Sequence, residues 1–238
     1  MLDLMDISPG IDANLPPAVP RPRLTSLERR QAIIDAALSL FAEKGFRGVT
    51  TRELAAAVGV TEPVLYQHFK TKSDLFRALV ESQCQLPEAL EELQPFAEAG
   101  DDRGYFRYLG MGVLSWYLDD SRFAKLLLHS ALDRHELAAL FYETQVSRFY
   151  QMIEGYIGLR IQQGVFHDQD PSLMARAFMG MVCHMGMIGS VYAPDLPMPW
   201  ARQEIVDRMV DLFLGGLKKQ ATPGGAQKDE KPQKDGKQ

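Results

Sequence analysis

The 238-residue chain predicts an all-α fold, and three observations lead there. Apolar residues recur at helical spacing from about residue 26 to residue 219, with no sustained strand-like alternation. Threonine caps with an acidic residue three positions on open successive runs: Thr25 with Glu28, Thr50 with Glu53, Thr71 with Asp74. Breakers such as Gly45, Gly59 and the segments GVFHDQDP and APDLPMP fall between the periodic runs.

Residues 1–22 hold five prolines and few large apolar groups beyond the first positions, so a disordered arm is expected, closed by Arg21 and Arg23. The first helix runs from Ser26 to Lys44, burying Ile33, Ile34, Ala37, Leu38, Leu40 and Phe41, and stops at Gly45. Phe46 and Val49 in the connector fill a small core. A short helix follows from Thr50, with Leu54, Ala55 and Val58 as its apolar stripe. Gly59 ends it, because glycine enters the left-handed region without a Cβ penalty. Val60 is expected to be buried and Thr61 to cap the next helix, with Pro63 in the first turn, where a missing N–H costs nothing. Leu65 and Phe69 point to the core and leave Glu62, Pro63, Val64, Tyr66, Gln67 and His68 for other uses. The helix from Lys72 carries Leu75, Phe76, Leu79 and Val80 toward Cys84.

Pro87 and Pro95 mark a boundary or a kink within 85–100, and AEAGDDRG reads as a loop. Beyond it the periods predict helices over Gly104 to Leu118, Ser121 to Ser130, Glu136 to Gln163, Pro171 to Tyr192 and Pro199 to Lys219. The fourth of these is apolar around most of its circumference and the last is amphipathic, so both need covering. Residues 221–238 lack large hydrophobes and read as a disordered tail.

Composition narrows the function. Two cysteines, Cys84 and Cys183, make no disulfide framework, and no His/Cys cluster has zinc spacing, so neither metal nor cofactor is expected. The acidic start MLDLMDISPG is unlike a signal peptide. The most apolar stretch, Ala177 to Ala193, is interrupted by His184 and Ser190 and is short for a bilayer span. A soluble, cytoplasmic protein without membrane attachment is expected. The net charge of −5 hides an asymmetry: residues 21–80 hold ten Lys/Arg against six Asp/Glu, residues 81–220 twelve against nineteen. A basic amino-terminal part and an acidic remainder orient a protein on nucleic acid.

The run from Leu54 to Phe76, with V-G-V-T, L-Y-Q-H-F and K-T-K-S-D-L-F, resembles the DNA-binding domain of TetR-family transcriptional regulators over roughly residues 24–80. The resemblance implies a helix-turn-helix DNA-binding domain at 23–80, then a helical effector-binding and dimerisation domain at 81–220 that pairs as a homodimer through its last two helices. It also implies a palindromic double-stranded operator, repression, and release by a small-molecule effector, for which a hydrophobic or aromatic compound is the natural guess.

The second helix of the hairpin is then expected in the major groove. Pro63 and Val64 suit thymine methyl groups, Gln67 an adenine edge and Glu62 a cytosine amino group. By resemblance Tyr66, His68 and Lys72 match positions that hold phosphates or the fold. Thr50 and Thr51 are placed to touch backbone on the other strand, and Thr61 begins the reading helix. For Arg21, Arg23, Arg52 and Lys70, DNA contact and plain solvated charge stay open. Effector-pocket candidates are Tyr108, Met111, Trp116, Phe149, Met152, Met179 and His184, chosen because aromatic rings and methionines suit an adaptable apolar cavity. His129, His184 and Tyr108 are possible polar handles. The contrary classes are a helical protein-interaction module and a small-molecule enzyme. Only His129, Asp133, His135 and Glu136 cluster in a way that suggests acid–base chemistry, and capping and solvation explain them without any catalytic residue.

Overall fold

The computed structural model describes residues 25–83, 86–133 and 136–218. The expected arm and tail, Arg21, Arg23, Cys84 and His135 lie outside them. The chain is all-α: α1 (Ser26–Lys44), α2 (Thr51–Val58), α3 (Glu62–His68), α4 (Lys72–Ser82), α5 (Leu86–Ala99), α6 (Asp102–Asp119), α7 (Arg122–Leu132), α8 (Glu136–Phe141), α9 (Ser147–Gln162), α10 (Pro171–Met187) and α11 (Arg202–Leu217). Among the described residues the one extended pairing is an isolated antiparallel bridge, Phe166 with Lys218.

The three threonine caps form as the sequence predicts. In each, the threonine hydroxyl accepts from the backbone N–H three residues on, and the carboxylate there accepts from the cap's own N–H. Such caps contribute about 1 kcal/mol apiece. Gly59 takes φ 71° and ψ 34°. Its N–H bonds Ala56 O at 3.1 Å and that of Val60 bonds Ala55 O at 2.9 Å, so the turn satisfies the carbonyls that α2 leaves open.

Thr61 departs from expectation: it occupies the cap position of α3 without a side-chain cap bond. One of the two usual donors belongs to Pro63, which has no N–H, and that of Val64 goes to the Thr61 carbonyl at 3.0 Å. Val60 is half-buried rather than buried. The stretch expected as boundary and loop is instead α5, a helix with Pro95 inside it, so that only Gly100 and Asp101 separate α5 from α6. The last helix starts at Arg202, past Pro194, Pro197 and Pro199, rather than at Pro199.

Two π-helical segments interrupt the long helices, Tyr142–Val146 between α8 and α9 and Ile188–Tyr192 after α10. Each contains a hydroxyl that donates back four residues, Thr144 to Leu140 O and Ser190 to Gly186 O, both at 2.7 Å. A carbonyl taken by a side chain lets the ladder step to wider bonds. With its π segment, α10 spans Pro171–Tyr192, 22 residues that include an 18-residue window of mean hydropathy 1.2, long and apolar enough by those measures to cross a membrane and longer than the stretch noted in the sequence. Its buried face, Ala175, Phe178, Met179, Val182 and Gly186, packs against α6 and α9.

Two cores organise the molecule. The amino-terminal head gathers α1 to α4 around Phe41, Phe46 and Phe76, whose ring centroids lie 5.3–5.7 Å apart. This core also takes in Phe123 and Leu126 of α7, both fully buried, and α7 packs along α1. Trp116 and Phe141 meet Phe123 edge-on at 5.7 and 5.4 Å. The body core centres on Phe106, Phe178 and Phe213, mutually 5.0–5.1 Å apart, with α6 flanked by α5, α10 and α11. A Cβ on Gly186 would lie 2.6 Å from the Tyr117 ring, so only glycine lets α6 and α10 approach this closely.

Candidate DNA-binding site

α3 presents a solvent face because its apolar spacing uses only Leu65 and the following Phe69 for burial. Pro63, Tyr66 and Gln67 are exposed, Tyr66 by 45 %, while Glu62, Val64 and His68 are half-buried. The face is fixed from behind. Thr51 Oγ1 donates to Glu62 Oε2 at 2.7 Å, tying the start of α2 to the start of α3. Both groups were expected to face DNA freely, and each instead holds the other.

Thr50 is exposed, but its hydroxyl is engaged in the α2 cap with Glu53, which also accepts from Lys44 at 2.9 Å. The Thr50 N–H, the Lys44 ammonium and the Thr50 hydroxyl together hold the Glu53 carboxyl down at about 2. The cap therefore stays ionised at any physiological pH.

Of the two roles left open for Lys72, phosphate contact or holding the fold, the geometry favours the second. Its ammonium donates to the Phe46 carbonyl and stands 4.2 Å from the Phe46 ring centroid and 5.7 Å from that of Phe41. Burial pushes its pKa down, against an upward pull from Glu53. The charge is turned onto the edge of the head's own core, where it pins the loop after α1 to the start of α4. Composition gave no hint of this, since the acceptor is a backbone carbonyl 26 residues away.

Of the seven effector candidates, five gather on the body core: Tyr108, Met111, Phe149 and Met152 pack against it, and Met179 is buried in it. Trp116 belongs to the head core, and His184 is exposed on the outer face of α10. His129 is likewise exposed, near the end of α7. Sequence reasoning missed the polar groups that the body brings together, half-buried Tyr117 and Cys183 and buried Asp102. Tyr117 and Cys183 form a hydrogen-bonded pair between α6 and α10, and burial pushes both the phenol and the thiol up, which leaves the thiol protonated and unreactive. Asp102, 3 % exposed, accepts from Tyr156 at 2.8 Å and Arg160 at 2.7 Å and pairs with Lys218 at 3.1 Å.

A short helix-turn-helix on a basic head, joined to a larger helical body, defines a class of DNA-binding regulators. Residues 33–79 match the family model for bacterial regulatory proteins of the tetR family, and residues 119–216 match that for the C-terminal domain of AefR-like transcriptional repressors. The regulator AcrR of Shigella flexneri is 33% identical over 153 residues, which is 64% of this chain and 69% of AcrR. Among solved structures, PfmR of Thermus thermophilus aligns with a TM-score of 0.62 and 24% identity, covering 79% of this chain and 99% of PfmR. AibR, solved with isovaleryl coenzyme A and operator DNA, aligns at 0.59 and 24%, covering 78% and 97%. The chain belongs to the TetR family and is a DNA-binding transcriptional regulator.

Proposed function

We propose that the chain acts as a symmetric dimer that represses transcription from an approximately palindromic operator and is released by a small hydrophobic or aromatic molecule. The observation that carries the dimer is the uncovered outer face of α10 and α11. Leu173 is 60 % exposed, Leu212 71 % and Ile188 37 %. Ala177, Gly180, Gly215 and Gly216 lie exposed among them, and residues 177–194 contain no Lys, Arg, Asp or Glu. An apolar face of this length is costly in water, and small residues let it approach a twofold copy of itself.

In each head Pro63, Val64 and Gln67 read base edges, while Tyr66, His68 and Thr61 meet the backbone; the Thr50 and Thr51 hydroxyls, each already donating to a carboxylate, hold that face in place. Glu62 and Lys72, bonded inside the head, brace α3 rather than touch DNA. The effector enters among Tyr108, Met111, Phe149, Met152 and Met179, and acts by binding more tightly to the head spacing that cannot span both half-sites. AibR, with the same fold, was solved with an acyl coenzyme A and operator DNA together, which supports assigning both kinds of partner to this architecture. A DNA target puts the working protein in the cytoplasm.

Analytical ultracentrifugation with duplex selection tests this. The expected result is a dimer that selects inverted repeats, and Leu212→Arg converts it to a monomer whose operator affinity falls by about 100-fold or more, the avidity of two linked heads. A wild-type monomer that selects a single unrepeated site overturns the proposal.

A further inference from the structure

Beside the end of α3 the head has a second feature that base reading does not use. A cleft of about 280 Å³ opens between α1, the α3–α4 turn and α4, lined by Arg30, His68, Lys70, Asp74, Arg77 and Glu81. His68 and Lys70 follow Gln67 almost directly, so the cleft continues the exposed face of α3 at its carboxyl end. Phe69 forms part of its wall, and the Arg30 guanidinium stands 4.8 Å from that ring's centroid. A guanidinium stacked on a ring keeps its N–H edges for a ligand and loses little further freedom when one arrives.

Among the described residues Arg30, Lys70 and Arg77 make no ion pair, although two carboxylates line the same cleft. Asp74 is directed elsewhere, its Oδ2 accepting from the Thr71 N–H at 3.0 Å in the α4 cap. Glu81 lies one turn beyond Arg77 on α4 without closing a pair on it. Three unpaired cations and an imidazole around one concavity match a small tetrahedral anion, and the phosphates that border the major groove are the nearest supply of that chemistry when α3 is in the groove.

We propose that this cleft seats one DNA backbone phosphate beside the base pairs read by α3, with Arg30, His68, Lys70 and Arg77 as its ligands. The site rests on the DNA-binding reading of α3 but not on dimerisation. It adds affinity without sequence information, and it fixes how far the carboxyl end of α3 can tilt out of the groove, because the anchor lies just past the last reading residue.

The test is the salt dependence of duplex binding by full-length protein. For Arg30→Gln/Arg77→Gln the slope of log affinity against log salt becomes shallower by about one for each head bound, with base preference unchanged. Gln67→Ala serves as the contrast and alters preference without altering the slope. Arg77→Gln alone guards against a folding artefact, since Arg77 has no share in the Phe69 stack, and it shows a smaller change of the same kind. A duplex with a neutral methylphosphonate at the flanking position weakens wild-type binding and weakens the double variant, which keeps only His68 and Lys70 at the seat, distinctly less. An unchanged slope, or equal sensitivity of both proteins to the methylphosphonate, overturns the proposal. So does saturable binding of inorganic phosphate in calorimetry with no change in the duplex slope, which would assign the cleft to a free anion. Failure of the wild type to bind any duplex would instead strike at the reading of α3 itself.

Discussion

The head and the body treat their cations in opposite ways. In the body Arg103, Arg107, Arg122, Arg160, Arg176, Arg202 and Arg208 each hold a carboxylate within 3.3 Å, and among its described residues only Lys125 and Arg148 make no pair. In the head the ion pair formed among the described residues is Lys44 with Glu53, and Arg29, Arg30, Arg47, Arg52, Lys70 and Arg77 make none. Surface pairs contribute little stability, so the body's pairing chiefly cancels field, whereas the head's bare charges preserve it for a polyanion. The aromatic rings do not share this contrast: Phe46 and Phe69 of the head carry a cation on their faces, and so do Tyr150 and Phe166 of the body. What divides the two regions is therefore electrostatic.

Packing does not divide them so cleanly, and the largest expected effect comes from that seam. Phe123 leaves the body's helix order to sit inside the head core, 1 % exposed, touched by Trp116 from α6 and Phe141 from α8. Phe123→Ala is expected to cost about 3–5 kcal/mol in denaturant unfolding and to remove protection from hydrogen exchange in α1, although the side chain is far along the chain from α3. Unfolding of the head that is indifferent to this change would show that α1 to α4 stand alone.

Next in size is the buried acid of the body. Burial works to raise the Asp102 pKa, but hydrogen bonds from Arg160, Tyr156 and Lys218 outweigh it and hold the carboxyl below the usual aspartate value. A depressed folded pKa contributes stability that is fully present above the unfolded value and is lost as pH falls through the folded one. Asp102→Ala is expected to destabilise the body at neutral pH by about 3 kcal/mol, because it leaves the half-buried Arg160 and the Tyr156 hydroxyl without their shared acceptor. In acid the gap between wild type and variant should close. A gap of constant size across the acid range would mean that Asp102 acts through packing alone.

How much of this was legible follows from which interactions are local. The caps at Thr25, Thr50 and Thr71 and the stop at Gly59 depend on neighbours within four residues, and the sequence carries them in full; of the outward set on α3 it carries Pro63, Tyr66 and Gln67, while Glu62, Val64 and His68 are half-buried. Thr61 failed because one proline removed a donor, a local effect that the capping pattern alone does not weigh. α5 was hidden by Pro95, which a helix with enough flanking turns tolerates. Trp116 looked like a pocket residue, yet it packs on the head core while Leu118, two positions on along α6, packs on the body core. Asp102 with Lys218 and Lys72 with the Phe46 carbonyl join positions far apart in sequence, and no spacing rule reaches that far.

Lys72 supplies the smallest and sharpest break of the comparison, because its charge is spent on a backbone carbonyl and two rings of the head rather than on a carboxylate or on solvent. If its ammonium serves as a brace, Lys72→Met keeps the aliphatic stem but forfeits a charged hydrogen bond and the contact with the Phe46 ring, a loss of about 1–2 kcal/mol in thermal or denaturant unfolding. The slope of DNA affinity against salt should then stay where it was, in contrast to the shallower slope expected for Arg30→Gln/Arg77→Gln. A lysine that swings out to a phosphate would behave in the opposite way, with stability nearly unchanged and the slope reduced by about one per head. The two measurements on one variant therefore decide on which side of the head's boundary this charge belongs.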